Sequence, residues 1–384
     1  MMRSSIPYVQ SAASQQVPPP YHFPGVTVNA FYFNISMQKV QEYCDRYLNI
    51  GDEASRDYVY RPMPFWPYAT VLFLDYPTMI SAAPASGQLG EVGYADRGSI
   101  SQTEVFVALP VIRYGRGAKR LVTDTAVEWA LPFIVVGNPM SSVCGREMLG
   151  LGKLLANIEN GVGRYPDSFL GRISLPGWPD AEIGTMQVQQ EFMAVETKPV
   201  LPTTAGTQPP RRTLATLLDS RAAKDWLGST VTAANFIDTF SLGLIPTSMR
   251  TVGLKQYRDA VDPRRAVYQA LVTCRAQYLN VREVRFYNEL DVDLHFNNTG
   301  SFHQILKVFL DVGEDATEMP HSVNTVAACR FMADINFDTM RVIREFPIDR
   351  EGGLPPTPGS SDLAARWYRP LRGFFGPRSG VGMP

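Results

Sequence analysis

The sequence is short of cysteine, of ionised residues and of any long apolar run. Its 384 residues include four cysteines, Cys44, Cys144, Cys274 and Cys329, far apart and without a C-x-x-C pair. That spacing supports neither a disulfide framework nor a zinc site. Ionised residues make up 19% of the chain, and 36 Lys and Arg against 37 Asp and Glu leave a net charge of -1. Such a balance gives no basic footprint for nucleic acid or an anionic membrane. Near-neutrality is also compatible with self-association, and a homo-oligomer is expected. No stretch reaches the roughly 20 apolar residues of a membrane-spanning helix. The opening "MMRSSIPYVQSAASQQVPPP" has no apolar segment of the secretory type, so a cytoplasmic, reduced protein is expected.

Chemical motifs are scarce too. The four histidines, His22, His295, His303 and His321, make no H-x-H or H-E-x-x-H pattern, so no metal is expected. There is no G-x-S-x-G elbow, no phosphate loop and no dinucleotide fingerprint, and no cofactor is expected. The glycines of "GRGAKR" and "GVGRYPDSFLG" read as turns.

Apolar residues, at 45%, are plentiful, and they fall mostly in strand patterns. "YATVLFLDYPTMI", "TEVFVALPVIRYG", "LPFIVVGN", "GRISLPG", "AEIGTMQVQQEFMAVE", "RAVYQALVTCRAQYLNVREVRFYNE" and "MRVIREF" are β-branched, aromatic and partly alternating. Helical spacing occurs in "SMQKVQEYCDRYLNI", with Ser36 as N-cap and Met37, Val40, Tyr43, Cys44 and Tyr47 along one side. "TLATLLDSRAAKDWLG" is a second helical candidate, and "TGSFHQILKVFLDVG" fits helix or strand. Residues 1–20 read as flexible, and 349–384 as a Gly/Pro-rich tail whose aromatic residues would dock on the body or a neighbour. Proline and glycine in "KPVLPTTAGTQPPRR", residues 198–212, mark a loop or insertion boundary. The whole predicts one mainly β domain, a largely antiparallel barrel with peripheral helices.

One segment stands out chemically. "CGREMLGLGKLLANIE" places a single lysine, Lys153, in apolar company behind Gly145, Arg146 and Glu147. If helical, Met148, Leu151, Leu155 and Ile158 would form one apolar stripe, although Gly150 and Gly152 weaken a helix there. Taken alone, a lysine in this setting reaches for solvent. Held in an apolar pocket instead, it would lose hydration, its pKa would fall, and the neutral amine could attack a ketone.

The spacing of "GREMLGLGK" resembles that of the acetoacetate decarboxylase family, whose lysine at this place forms a Schiff base with substrate. Further likenesses follow in order. "VGYADR" resembles the family's Gly-x-Tyr-x-Glu segment, which puts Asp96 at the catalytic acidic position and Tyr94 two residues before it. "FYFNISMQKVQEYCD" resembles the opening strand and helix, "DPRRAVYQALVTCRAQYLNVREVRFYNELDVDL" the long hairpin, and "FMADINFDTMRVIREF" the closing strands. The resemblance spans residues 21–348 as a single domain with an insertion near 200–245, and implies a cone-shaped antiparallel β-barrel with helices around it.

It also implies a function: a Schiff-base lyase acting on a β-keto acid or related ketone, with Lys153 and Asp96 catalytic and Tyr94, Arg146 and Glu147 binding or positioning. The chain departs from the family in four places. Leu154 replaces a second lysine, so desolvation alone would have to activate Lys153. Asp96 is one methylene shorter than Glu. A further acidic site falls on Leu74 or Asp75. The first-strand arginine has no counterpart in "PGVTVNAFYF". Aldolase or dehydratase chemistry therefore stands beside decarboxylation, with a non-catalytic binding or structural protein on the same fold as the alternative.

Overall fold

The computed structural model describes residues 17–53, 56–64, 66–83, 98–116, 122–163, 168–178, 185–198, 248–287, 292–298, 302–310 and 321–346. The helix expected over 213–228, the insertion, the tail and most of the N-terminal segment lie outside the described residues.

Strand dominates, as the alternation predicts. In chain order the strands are β1 (Tyr21–Asn34), β2 (Tyr58–Pro62), β3 (Tyr68–Ser81), β4 (Ile100–Arg116), β5 (Val122–Val136), β6 (Lys153–Leu155) and β7 (Asn157–Val162). They continue with β8 (Phe169–Gly177), β9 (Val188–Thr197), β10 (Ser248–Arg258), β11 (Ala266–Phe286), β12 (Val292–Phe296), β13 (His321–Phe337) and β14 (Arg341–Glu345). Neighbouring strands run β11–β10–β5–β4–β3–β1–β13, and β13 pairs again with β11, which closes a ring. Closure removes the free edges of those strands. Beyond β13 the sheet continues as β12–β9–β8–β7. The sheet is mixed: β10 and β6 both run parallel to β5, while β1–β13, β1–β3, β3–β4 and β4–β5 are antiparallel.

Period-two alternation sorts the side chains into two cores. One face of the ring strands contributes Val26, Val28 and Ala30 from β1, Leu72, Leu74 and Tyr76 from β3, and Cys329, Phe331 and Ala333 from β13. The other face carries phenylalanine. Phe31 meets Phe73 edge-on at 6.1 Å between ring centres, Phe73 meets Phe169 at 5.3 Å, and Phe33 meets Phe296 at 6.3 Å. Such edge and tilted contacts add to area burial and lock the arm strands to the ring.

Helices are short. α1 (Met37–Tyr43) runs on into a π-helical turn, Cys44–Leu48, and buries Val40, Cys44 and Leu48. Ser36 has the extended backbone of an N-cap but makes no side-chain capping bond. α2 is Pro139–Glu147, and "TGSFHQILKVFLDVG" contains the five-residue α3, Phe302–Leu306. The hairpin tip Gln256–Gln269, with Phe346, forms a small unit of its own, where Asp259 Oδ1 accepts from the Val261 and Asp262 amides.

The apolar stripe from Met148 to Ile158 does not form a helix. α2 stops at Glu147, the chain turns at Gly150 with φ +66°, and Lys153 opens β6. Leu155, which the helical reading would bury, is 49% exposed. The left-handed residue explains the difference, since no helix continues through it. A Cβ on Gly150 would also stand 2.5 Å from the Cβ of Lys255. Gly150→Ala is therefore expected to cost about 1–3 kcal/mol, read as a lower urea midpoint at constant slope. An unchanged midpoint would show that the turn tolerates another conformation.

Candidate functional site

The site is built at the β5–α2–β6 crossover. Asn138 caps α2, its Oδ1 accepting from the Met140 amide at 2.9 Å and the Ser141 amide at 3.4 Å, while its Nδ2 donates to the Ser101 carbonyl at 3.0 Å. The cap thus ties the start of α2 to β4, and Pro139 supplies a helix-ready φ at the first position. Ser141, Cys144 and Gly145 are buried on the inward side of α2. After the Gly150 turn, β6 lies parallel to β5 with Lys153 opposite Ile134.

Lys153 is 5% exposed, so the solvent-reaching alternative does not hold. Its Nζ donates to Glu104 Oε2 at 2.6 Å and to Ser141 Oγ at 3.3 Å. Glu104 is itself 6% exposed, on β4 between Leu74 of β3 and Val136 of β5. Gln102, two residues earlier on the same face, donates from Nε2 to the same carboxylate oxygen at 3.4 Å. Gly145 leaves room for the lysine stem, because a Cβ there would lie 2.5 Å from Lys153 Cδ. The glycine of the G-R-E spacing is thus the floor on which the lysine lies.

A cavity of about 60 Å³ adjoins the amine. Its wall is mainly aromatic, with Tyr21, Phe23, Tyr76, Phe106, Tyr278 and Phe337. Burial, with a further push from the Glu104 charge, raises the Tyr76 and Tyr278 hydroxyls far above their ordinary range, so both are donors and not bases. Burial also raises the Cys144 thiol, which stays protonated and a poor nucleophile. Glu128, the other deeply buried carboxylate among the described residues, does not line this cavity. It accepts from the Tyr60 hydroxyl at 2.8 Å and lies 3.5 Å from Arg113 Nε, contacts that hold β2 against β4 and β5.

The expected residues separate. Lys153 enters the cavity. Arg146 and Glu147 lie exposed on α2, and Arg146 Nη1 donates to the Lys153 carbonyl at 3.4 Å, so it steadies the backbone of β6 and not the amine. Asp96 and Tyr94 lie outside the described residues. Leu74 is core and Asp75 is exposed, which leaves no acid at that register. Leu154 is 37% exposed, because consecutive strand residues point to opposite faces. A cation in its place would therefore not enter the cavity.

Sequence reading missed Glu104, Ser141 and Gln102. The signal for Glu104 was a single ionised residue inside the apolar run "TEVFVALPV". Three of the histidines have ordinary hydrogen-bond partners: His22 with Asn336, His295 with Ser322 and His303 with Asn298. Among the described residues no group of three His, Cys, Asp or Glu side chains is placed to hold a metal, and no helix is long and apolar enough to cross a membrane.

The pair should behave as a coupled unit. Lys153→Met or Glu104→Leu leaves one buried charge unmatched and is expected to cost about 3–5 kcal/mol, whereas the double replacement costs less than either alone. Denaturant unfolding of the four proteins measures this, and strictly additive losses would show that the two charges do not depend on each other.

No family model matches the chain, and no curated protein matches it. Solved structures do. Acetoacetate decarboxylase from Legionella pneumophila is 12% identical with a TM-score of 0.48, the alignment covering 89% of this chain and 94% of that one. A second acetoacetate decarboxylase is 12% identical with a TM-score of 0.47, covering 89% and 97%. The enduracididine biosynthesis enzyme MppR, complexed with the condensation product of pyruvate and imidazole 4-carboxaldehyde, is 13% identical with a TM-score of 0.47, covering 86% and 92%. Over most of its length, this chain is similar to acetoacetate decarboxylases and to enzymes like them.

Proposed function

We propose that the protein is an imine-forming lyase acting on a β-keto acid or related ketone, with Lys153 as nucleophile. The observation that carries this is a buried lysine whose Nζ lies 2.6 Å from a buried carboxylate and opens on an apolar cavity.

The first step needs a free amine, and Glu104 is placed to take the proton. Nζ then attacks the carbonyl carbon. The protonated carboxyl gives its proton to the oxygen, a second proton passes from the nitrogen through Glu104 to the same oxygen, and the oxygen leaves as water. The product is a protonated imine beside a carboxylate, the same charge arrangement as the resting pair. A site built around one ion pair therefore stabilises the other without reorganising. The imine withdraws electrons from the neighbouring carbon, so a bond there to carboxylate, to carbon or to oxygen can break and leave an enamine. Protonation and hydrolysis return the amine. Ser141 Oγ, at 3.3 Å, holds the amine on its line.

A second reading treats the pair as structural in a non-catalytic protein of the same fold, since a satisfied buried ion pair needs no ligand. Reductive trapping separates the two. The protein is incubated with a panel of ketones and keto acids, borohydride is added, and the mass and modified peptide are read. A substrate-sized adduct on Lys153, absent in Lys153→Ala, is expected. Glu104→Gln should slow its formation by about 10²-fold, the usual scale for a lost acid–base group. If no ketone labels Lys153, the structural reading takes its place.

A further inference from the structure

Lys153 and Glu104 are both buried, so a molecule that reaches the amine needs part of the cavity wall to move. The wall is thin where the start of β1 meets α2. Tyr21 and Cys144 line the cavity, and both bond Val17, which does not line it. The Val17 amide donates to Cys144 Sγ at 3.3 Å, and the Tyr21 hydroxyl donates to the Val17 carbonyl at 2.6 Å. Residues 17–20 thus form a strap from the start of β1 to the inward side of α2, and it backs a single layer of side chains.

The strap is lightly held, and its sequence is the reason. It reads V-P-P-P, so Val17 supplies its only backbone N–H. The prolines can only accept: the Pro18 carbonyl takes the Ser81 hydroxyl at 2.5 Å, and the Pro20 carbonyl takes the Ala82 amide at 2.8 Å. The β1–β3 ladder begins at Tyr21 opposite Ser81, and a run of prolines cannot extend it with donors. Residues 17–20 are all half-buried. A short segment with one amide donor, attached to a regular ladder, belongs to the least stable end of a fold, where local opening is easiest. The fixed φ angles of Pro18, Pro19 and Pro20 make it move as one piece.

We propose that residues 17–20 are the gate of the cavity: they lift away from Cys144 as a unit, hinged at Pro20, to admit a small molecule to Lys153, and close over it. The imine reading above only names a ketone as the molecule admitted; the gate itself rests on the cavity and the strap. Closed, the strap keeps water from the buried ion pair, whose attraction is strongest in a dry site. It also covers Cys144, whose thiol burial raises and keeps protonated. With the strap lifted, Cys144 is hydrated and becomes an ordinary reactive thiol, so it reports the state of the gate. Cys44 in the π-helical turn and Cys329 on β13 are buried too, and they report opening elsewhere in the fold.

Two variants of the full chain loosen the strap and leave the ion pair in place. Ser81→Ala removes the donor to the Pro18 carbonyl, and Tyr21→Phe removes the donor to the Val17 carbonyl while keeping the ring in the wall. Alkylation of Cys144 by iodoacetamide and methylation of Lys153 by formaldehyde with cyanoborohydride are followed by peptide mass in separate samples. Formaldehyde methylates any amine it reaches, so this readout measures access and not the proposed catalysis. Each variant is expected to raise both rates about three- to tenfold, the scale of one lost hydrogen bond, with Cys44 and Cys329 changed by less than about twofold. Rates at Cys144 and Lys153 that stay unmoved in both variants would overturn the gate. So would a rise at Cys144 alone, which is a strap that opens without exposing the amine, or a rise at Lys153 alone, which puts the entrance elsewhere. An equal rise at Cys44 and Cys329 would make the opening global and overturn it as well. Failure of every ketone to label Lys153, in a chain whose Lys153 methylation follows the strap, would strike the imine reading and leave the gate standing.

Discussion

The ion pair between Lys153 and Glu104 is the constraint around which this end of the ring is arranged. Two charges in an apolar interior are tolerable only together, and a separation of 2.6 Å demands that several elements agree in register. β4 must present Glu104 inward opposite Val136 of β5, and β6 must run parallel to β5 with Lys153 opposite Ile134. A slip of one residue in either ladder would turn one charge to the far side of the sheet. The capped start of α2, the glycine under the lysine stem and the left-handed turn at Gly150 all serve that placement.

The pair also bears on how the proposed imine chemistry would start. The expected device was a lone desolvated lysine, since Leu154 stands where a helper cation belongs. The structure instead gives Lys153 a carboxylate partner, and the strand pleat carries residue 154 away from the cavity. The resting site and the protonated imine then share one charge pattern, so the element that stabilises the fold is the one that would stabilise the intermediate. Glu128 shows the contrast. It is as deeply buried, but a tyrosine hydroxyl and a guanidinium flank it, and it does not line the cavity beside Lys153.

Much of the fold was legible in the chain. Alternation in "TEVFVALPVIRYG" and "YATVLFLDYPTMI" marks β4 and β3, because a strand with two different faces needs a period of two. The helical spacing of "SMQKVQEYCDRYLNI" marks α1. The stripe after Glu147 misled, because apolar spacing at i, i+3 and i+7 says nothing of a left-handed glycine within it. Lys153 was legible through its spacing to Gly145. Glu104 was not, since 49 residues separate it from its partner and local patterns do not record which strands will be neighbours. Asp96, expected in that role, lies outside the described residues.

By itself the sequence determined the β-rich class, the freedom from disulfides and the segment carrying the buried lysine. Each follows from residue type and local period, which are properties of the chain before it folds. Only the tertiary structure decided which acid meets the lysine, which way residue 154 points, and that Gln102 shares the cavity with both charges. These depend on strand order and register across a closed ring, where residues far apart in the chain are brought within hydrogen-bond distance.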